Sequence, residues 1–395
     1  MSPDTLRIGF IALVDAAPLV IAVDHGFAAE QGLSVELVRE VSWSNVRDKL
    51  NIGLFDAAHL LSPVAIASSL GIGHVRVPLL APFNLALNGN AITVSPRLYD
   101  ELAGAADGDI ADPLVSARAL ARVVDERKAR GDDVLNFGMT FPFSNHNYQL
   151  RFWMAAGGID PDEDVRLVVL PPPYMVDSLT NGQVDAFCVG APWNSVAVES
   201  GVGRILHFGC EIVSSMSEKV LAVREQWSKT HPETVAALIR ALVNAGAFIA
   251  DPVNRTTVAA SLSKRLDVSA EIIARTLAGE LKVSMEGMMR GDSRYIMLGG
   301  DLANRPDTLQ AAWLYAQTAR WGQAPLSDEM CAMAQTTFRP DLYDAALGRA
   351  PAPPEAGPGL SIRMFTGPDF TGDVHAYVSA WRAKRSGRPR LSLVR

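Results

Sequence analysis

Cysteine is scarce in this sequence, and the few that occur stand far apart. Only Cys188, Cys210 and Cys331 are present, and none belongs to a Cys-x-x-Cys pair. This spacing argues against a disulfide framework and against a cysteine-based zinc site. The Gly-rich phosphate-binding motifs, the His-Glu-x-x-His metal motif and the Gly-x-Ser-x-Gly turn are also missing. We therefore expect no metal, no cofactor and no catalytic residues.

Positive charge is also in short supply. The chain has 36 Lys and Arg against 43 Asp and Glu, which gives a formal net charge of −7. A nucleic-acid-binding protein needs a basic surface to displace counterions, so we expect no direct contact with nucleic acid. A small anionic ligand is still compatible with this balance, because local charge decides whether it binds.

Long apolar stretches are absent as well. No run of 18 apolar residues occurs, so we expect no membrane span and no contact with a membrane. The first five residues, Met1 to Thr5, contain an acid and no base. The apolar segment Leu6–Leu13 is short and Asp15 follows it closely. Because a secretory signal needs a basic start and a longer apolar segment, these features predict a cytoplasmic protein.

What the sequence does contain is an alternation of strand and helix patterns. Leu6–Ala12 and Ala57–Leu61 are typical of strands, whereas Ala17–Gln31 has helical spacing, with Asp15 as its N-cap and Gly32 after its end. This βαβα rhythm predicts an α/β fold with a mostly parallel sheet and helices on both faces. A length of 395 residues favours two or three domains.

A second α/β unit follows the first, and two extended segments near Ile92–Val94 and Lys219–Val223 are expected to cross between the two units. We predict a bilobal fold in which residues 1–94 plus 219–395 form lobe 1, with a helical C-terminal part, and residues 95–218 form lobe 2. A ligand is expected in the cleft, near the C-terminal ends of the strands. Pro351–Pro358 is predicted to be a loop, and Arg382–Arg395 a mobile basic tail.

Several strings at the predicted strand ends are distinctive. They are WSNVRDKLNIG with DAAHLLSP, NGNAITV, MTFPFSNHNYQLRFWMAAGGIDPDEDV, VVLPPPYMVDSLTNGQVDAFCVGAPWN and EKVLAVREQW. Over about residues 40 to 230, the chain resembles the nitrate- and bicarbonate-binding proteins of ABC importers, which have the type II periplasmic-binding-protein fold. Within that family it looks most like the cytosolic nitrate and nitrite sensors of the NasS type. Those sensors hold an ANTAR-domain RNA-binding antiterminator inactive until nitrate or nitrite arrives.

The resemblance implies a nitrate or nitrite pocket. Its residues in this sequence would be Trp43, Asn90, His146, Pro172, Val189, Gly190 and Lys219. Importers of the family tend to have Gln at the position of Asn90, and the missing methylene shortens the reach of the amide by roughly 1.5 Å. His59 lies at an apolar strand end and is interpreted as a structural residue, with a position at the border of the cleft as the alternative.

The residue types of this pocket suit nitrate. Nitrate has three acceptor oxygens and no proton, so its site should offer donors, and Lys219, His146 and Asn90 can all donate. The bicarbonate-binding branch of the family has a carboxylate at the position of Lys219. The lysine therefore favours nitrate and nitrite over bicarbonate.

Three functions follow as alternatives. The first is a cytosolic sensor that binds nitrate or nitrite and releases an ANTAR-type antiterminator. The second is the substrate-binding subunit of a nitrate ABC importer, which would need a leader sequence. The third is an enzyme, because the same fold class includes thiamine-pyrimidine synthases. Those enzymes require a Cys-rich iron-binding motif, which three separated cysteines do not supply.

Overall fold

The computed structural model describes residues 5–350 and 361–382. The predicted loop Pro351–Pro358 and the basic tail beyond Arg382 lie outside the described residues. The strands are β1 Leu6–Ile11, β2 Val35–Glu40, β3 Ala57–Leu61, β4 Leu79–Asn88, β5 Asn90–Val94, β6 Asn136–Met139, β7 Arg166–Val169, β8 Ala186–Gly190, β9 Arg204–Phe208, β10 Ser217–Arg224, β11 Glu280–Lys282, β12 Met289–Gly291 and β13 Ile296–Met297.

Helices surround these strands. In the first two thirds they are α1 Ala17–Asp24, α2 Phe27–Glu30, α3 Trp43–Asn51, α4 Ser62–Leu70, α5 Pro96–Ala105, α6 Pro113–Arg130, α7 Asn145–Ala156, α8 Met175–Thr180, α9 Trp193–Glu199, α10 Gly209–Ile212 and α11 Glu225–Thr230. The later helices are α12 Pro232–Ala250, α13 Arg255–Leu266, α14 Ala270–Ala278, α15 Asp301–Asn304, α16 Thr308–Arg320, α17 Asp328–Thr337, α18 Pro340–Ala346 and α19 Val374–Arg382.

The strands form two main sheets, one in each lobe. The first sheet has the order β13-β4-β10-β3-β1-β2, and the second has the order β7-β6-β8-β5-β9. Within each sheet three neighbouring strands run parallel, namely β2-β1-β3 in the first and β7-β6-β8 in the second. The carboxyl ends of parallel strands lie at one edge of a sheet, and this edge is where ligands bind in open α/β folds.

The expectation of a mostly parallel sheet is wrong. Strand β10 pairs antiparallel with both β3 and β4, and β5 pairs antiparallel with both β8 and β9. The physical reason is the crossing of the chain between lobes. A strand that enters a sheet from the other lobe arrives at the carboxyl edge and must run against the parallel strands.

The crossings lie a few residues from their predicted positions. Strand β5 already pairs within the second sheet at Asn90, so the chain changes sheets at Gly89. On the way back, Ser217 already pairs with Leu87 of the first sheet. The return therefore lies between Ile212 and Ser217, ahead of the predicted segment Lys219–Val223.

The predicted helix Ala17–Gln31 is two helices, α1 and α2. Gly26 separates them with a φ of 84°, a left-handed conformation that ends α1. Asp15 is not an N-cap, which corrects the sequence prediction. The cap position is Ala16, which has no side-chain bond, and the carboxylate of Asp15 points instead towards the cleft, where it pairs with Lys219.

The C-terminal third contacts both lobes. Helix α17 packs against α4 of the first lobe, while Gln323, after α16, donates a 2.9 Å hydrogen bond to the carbonyl of Pro142 in the second lobe. The hairpin β11–β12 reaches the second lobe too, where Arg290 donates to the carbonyl of Leu206 at 2.8 Å. This third is therefore not confined to lobe 1.

One helix, α12, is long and apolar enough by composition to cross a membrane. It packs against α1 and α18, and Leu238, Leu242 and Ala245 on its inner face are buried. Such a helix is typical of a protein core, since a core helix and a membrane span share this composition.

We predict that the first crossing tolerates no side chain at Gly89. Its φ is 96°, and a Cβ there would lie 3.1 Å from Cδ1 of Ile296. Gly89→Ala is expected to lower the free energy of unfolding by about 1–3 kcal/mol, measured by urea denaturation. The matched control is Gly104→Ala in α5, where a Cβ meets nothing within 4 Å. In that variant the free energy of unfolding should rise by up to about 1 kcal/mol. An equal loss of unfolding free energy in both variants would contradict the prediction.

Candidate functional site

The polar residues of the molecule's centre meet where the carboxyl edges of the two sheets face each other. Asp15 follows β1, His59 lies on β3, His146 lies at the start of α7, and Glu218 and Lys219 begin β10. Each of these side chains is at most 2% exposed. The cleft is therefore closed over a wholly buried polar cluster.

Lys219 is the centre of this cluster. Its Nζ lies 2.9 Å from Oδ2 of Asp15 and 2.7 Å from Oε1 of Glu218. It also lies 5.3 Å from the centre of the Trp43 ring, within the range of a cation–π interaction. The predicted cation of the site is thus present, but two carboxylates already neutralise it.

A β-bulge brings Glu218 and Lys219 to the same site. Opposite β4, Ser217 pairs with Leu87 and Lys219 pairs with Ala86, so one extra residue stands on β10. Successive side chains of a regular strand point to opposite faces, whereas a bulge re-aims one of them. The sequence analysis missed Glu218 because a regular strand would place it away from Lys219.

The charges of these three groups stabilise one another. Burial alone would raise the pKa of Asp15, but Lys219 and His59 hold it at about 2. Burial opposes ionisation of Glu218 as well, yet Lys219 and His146 lower its pKa below the usual value. Burial would lower the pKa of Lys219, and the two carboxylates raise it instead. At neutral pH all three groups are therefore ionised.

His59 belongs to the same cluster. Its Nδ1 accepts the backbone N–H of Ile11 at 3.4 Å, so the proton of the neutral ring is on Nε2, which lies 2.9 Å from Oδ1 of Asp15. Burial lowers the pKa of His59. The ring also packs edge-on against Trp43. Of the two alternatives for His59, the structure shows the position at the border of the cleft, beside the carboxylate of Asp15.

His146 faces the cluster from the second lobe. Ser144 caps α7 by accepting the N–H of Asn147, which places His146 in the first turn of the helix. Its Nδ1 lies 2.9 Å from Oγ1 of Thr140, and its Nε2 lies 3.6 Å from Oε1 of Glu218 without a hydrogen-bond partner. Burial lowers the pKa of His146 to about 4, so the ring is neutral at pH 7.

Asn90 lies in the cluster as well, at the start of β5. Its Nδ2 donates to Oε2 of Glu218 at 2.8 Å and to Oε1 of Gln149 at 3.3 Å. Its amide hydrogens are therefore occupied within the protein, while its Oδ1 has no partner. Gln149, a buried residue of α7 that the sequence analysis did not predict, fills the space beside the short Asn90 side chain.

Three further residues of the predicted pocket lie along the carboxyl edge of the second sheet. Gly190 ends β8, and a Cβ there would lie 3.4 Å from Oδ2 of Asp15, so the lack of a side chain leaves room beside the carboxylate. The carbonyl of Val189 accepts a hydrogen bond from Asn194. Pro172 is buried in the 3-10 turn after β7, two strands away from β8 in the sheet order.

The cluster combines unsatisfied donors and acceptors. The Nε1 of Trp43 and the Nε2 of His146 have no hydrogen-bond partner, and neither have the Oδ1 atoms of Asn90 and Asn145. Buried polar groups are nearly always paired, and these unpaired atoms are therefore available to a ligand, although the indole N–H of Trp313, outside the cluster, is unpaired as well. Among the described residues, no group of three or more His, Cys, Asp and Glu side chains is arranged to hold a metal ion.

Comparison with known proteins gives a consistent result. The model of the NMT1-like family matches residues 1–263. NrtA of Synechococcus elongatus, described as a nitrate/nitrite binding protein, is 31% identical over 86% of this chain and 77% of its own length. The bicarbonate transport ATP-binding protein CmpC of Synechocystis is 35% identical over 86% of this chain. The chain spans about half the length of the ATP-binding transport proteins that it matches.

The fold is that of a periplasmic binding protein. The crystal structure of the periplasmic nitrate-binding protein NrtA from Synechocystis superposes with a TM-score of 0.84 and 28% sequence identity. The match covers 95% of this chain and 98% of that one. The predicted bilobal α/β architecture is therefore confirmed, with mixed rather than mostly parallel sheets.

We predict that Lys219→Met destabilises the protein and reverses its pH dependence. The variant leaves Asp15 and Glu218 buried without their cation, which should cost about 3–5 kcal/mol at pH 7 in urea denaturation. In the wild type the depressed pKa values of His59 and His146 give stability that is lost as the pH falls below about 6.5, and the depressed carboxylate pKa values add a further loss below about 4. Without Lys219 burial raises those pKa values, so the variant should gain stability as the pH falls from 7 towards 4.

Lys229→Met is the matched control for this prediction. Lys229 pairs with Glu225, and the two side chains are 64% and 37% exposed. Because an exposed cation contributes little, this variant should lose at most about 1 kcal/mol and keep the wild-type pH dependence. Equal losses in the two lysine variants would contradict the role of Lys219 as the charge that balances the cluster.

Proposed function

The chain belongs to the NMT1-like family, and from this premise we propose that it binds nitrate or nitrite in the cleft between its two lobes. The observation that supports this most strongly is the pair of orphaned donors beside Lys219. The N–H of Trp43 and the Nε2 of His146 have no partner, and both side chains lie against the Lys219–Glu218 pair, with Nζ of Lys219 5.3 Å from the Trp43 ring centre and Nε2 of His146 3.6 Å from Oε1 of Glu218. A planar anion with acceptor oxygens satisfies both, and the likeness to NrtA supports the same ligand.

We propose further that ligand binding controls a protein partner. Under this proposal the chain is a cytoplasmic sensor that holds an ANTAR-type RNA-binding antiterminator and releases it when nitrate or nitrite closes the lobes. The net charge of −7 supports a basic partner. The three cysteines are free, as is usual for proteins of reducing compartments. The same pocket equally suits the substrate-binding subunit of a nitrate importer, which is the second candidate.

Bicarbonate is the second candidate ligand. The sequence argument against it depended on the absence of a carboxylate at the position of Lys219. The bulge brings the carboxylate of Glu218 within 2.7 Å of Nζ of Lys219, so the site does contain an acceptor for a ligand that carries a proton. CmpC, the relative with 35% identity, is a bicarbonate transport protein by description.

We propose that the chain binds its ligand without transforming it. A reactive thiol needs a depressed pKa, whereas burial raises the pKa of Cys188, the thiol that lies behind the cluster, well above its usual value. The Ser116–His207–Glu211 set has the composition of a hydrolase triad, but Ser116 and His207 are fully buried and the hydroxyl accepts the indole N–H of Trp153. That set therefore serves packing.

Replacing Trp43 should weaken nitrate binding. Trp43→Phe removes an N–H that has no partner within the protein, so the loss of a donor to the anion should appear as about tenfold weaker binding in calorimetry. The control is Trp313→Phe in α16, which also removes a buried indole N–H without a partner. It should cost similar stability through the lost volume and leave the affinity unchanged. Equal affinities in the two variants would remove Trp43 from the site.

The sensor function predicts reciprocal coupling between ligand and partner. If nitrate lowers the affinity of the chain for the antiterminator, the antiterminator must lower the affinity for nitrate by the same factor. Such factors are typically about 5–150-fold. Titration of the purified pair with nitrate on a sizing column, followed by calorimetry of each pairing, measures both factors. A complex that survives saturating nitrate and nitrite, or no complex at all, would favour the importer subunit instead.

A further inference from the structure

We propose that the cleft takes up one proton together with its anion, and that Glu218 with its neighbour His146 receives that proton. This inference rests on the proposed binding of nitrate, and it adds a property that nitrate binding alone does not require. It also assigns Glu218 a specificity-determining role, because its carboxylate decides how much negative charge the site accepts.

The charge balance of the buried cluster motivates the proposal. Asp15 and Glu218 carry two negative charges and Lys219 carries one positive charge, while His59 and His146 are neutral. The cluster therefore has a net charge of about −1 before any ligand enters. A nitrate ion would raise this to about −2 in a space where every side chain is at most 2% exposed. Burying uncompensated charge is costly, and protonation is the usual relief.

The charged and titratable neighbours of Glu218 are Lys219, His146, Asp15, His59 and Cys188. Lys219, on the same strand, lies nearest, with its Nζ 2.7 Å from Oε1 of Glu218. The Nε2 of His146, in α7, lies 3.6 Å from the same oxygen. Asp15 is the second carboxylate that contacts Lys219. The charge of Glu218 also acts electrostatically on His59 in β3 and on Cys188 in β8. Among these groups only Lys219 is cationic, so no second positive charge within the cluster compensates an incoming anion.

The same contacts explain why Glu218 must change when the anion binds. Its two oxygens accept the Lys219 ammonium and the Asn90 amide, the two donors that the anion itself requires. Protonation of the pair weakens the hold of Glu218 on both donors and frees them for the anion.

The proton has a defined destination. Whichever tautomer the neutral His146 ring adopts, one of its nitrogens lacks a proton, and Thr140 is close to Nδ1 while Nε2 faces Glu218. One proton leaves the buffer and forms an N–H bond on His146 or an O–H bond on Glu218. No bond of the anion is made or broken. Each nitrate ion thus enters with one proton, and the cluster stays at a charge of about −1.

Calorimetry of the wild-type protein tests this directly. Nitrate is titrated at pH 6.5 in PIPES and in imidazole, two buffers with different ionisation enthalpies. The dependence of the observed heat on that enthalpy counts the protons exchanged. We expect uptake close to one proton per nitrate. The affinity for nitrate should fall by up to tenfold for each unit by which the pH is raised between about pH 5 and 7.

Two variants locate the proton. Glu218→Gln removes the charge but keeps the shape and a hydrogen-bonding oxygen, so it mimics the protonated state. It should bind nitrate with no proton uptake, with an affinity that is independent of pH and at least as tight as the wild type at pH 7.5. The control is Asp344→Asn, which removes a buried carboxylate paired with Arg305 outside the cleft. It should keep the wild-type proton count.

The outcomes separate the two proposals. Nitrate binding without proton uptake in the wild type overturns the coupling and leaves the proposed function standing. An absence of nitrate binding at every pH overturns the proposed function itself, and the coupling with it. Unchanged uptake in Glu218→Gln overturns the assignment to Glu218. If that variant does not fold, the wild-type measurement in two buffers still decides whether a proton enters with the anion.

Discussion

The ion pairs of Lys219 with Asp15 and Glu218 are the constraint on which the rest of the site depends. A buried ammonium is stable only when oppositely charged groups lie against it, and here they come from the turn after β1 and from β10 itself. Fixing these two carboxylates fixes His59 on one side and Asn90 on the other. Since hydrophobic residues of the same volume often stabilise a core equally well, stability alone does not account for such a buried triad.

Local signals in the sequence predicted much of the fold. Strand β3 has the predicted bounds Ala57–Leu61. Helix α6 shows the same kind of local signal, since Asp112 caps one end and Gly131 ends the other in a left-handed conformation. Strand β4 was missed, because Leu79–Asn88 is buried on both faces and contains a proline, so it shows no alternation. The antiparallel crossings were missed for a different reason. The direction of a strand depends on the lobe from which the chain enters the sheet, and no local sequence pattern indicates that lobe.

The predicted ligand-binding roles of the site residues stay a prediction, whereas the chemistry of the cluster around Lys219 differs from the one expected. The resemblance identified Trp43, His146 and Lys219, which the structure does bring together, and the expectation of a site made of donors alone followed from these residues. The carboxylates escaped notice because each has an ordinary local explanation. Asp15 precedes a helix as an N-cap would, and Glu218 occupies a strand position that points away unless a bulge intervenes. Charge balance is a property of the assembled cleft, and a single carboxylate in the sequence does not reveal it.

The free-energy difference between the closed and the open cleft depends in part on contacts of the C-terminal third. Because the cluster is wholly buried in this closed state, a ligand can enter only when the lobes separate. Separation must strain the contacts that Gln323 makes with Pro142 and that Arg290 makes with Leu206, since these elements hold the second lobe while the same third packs on the first. A ligand that prefers the closed state is therefore linked to these distant contacts. Under the proposed sensor function, a partner protein that contacts the C-terminal third on both lobes would shift the same equilibrium without touching the anion.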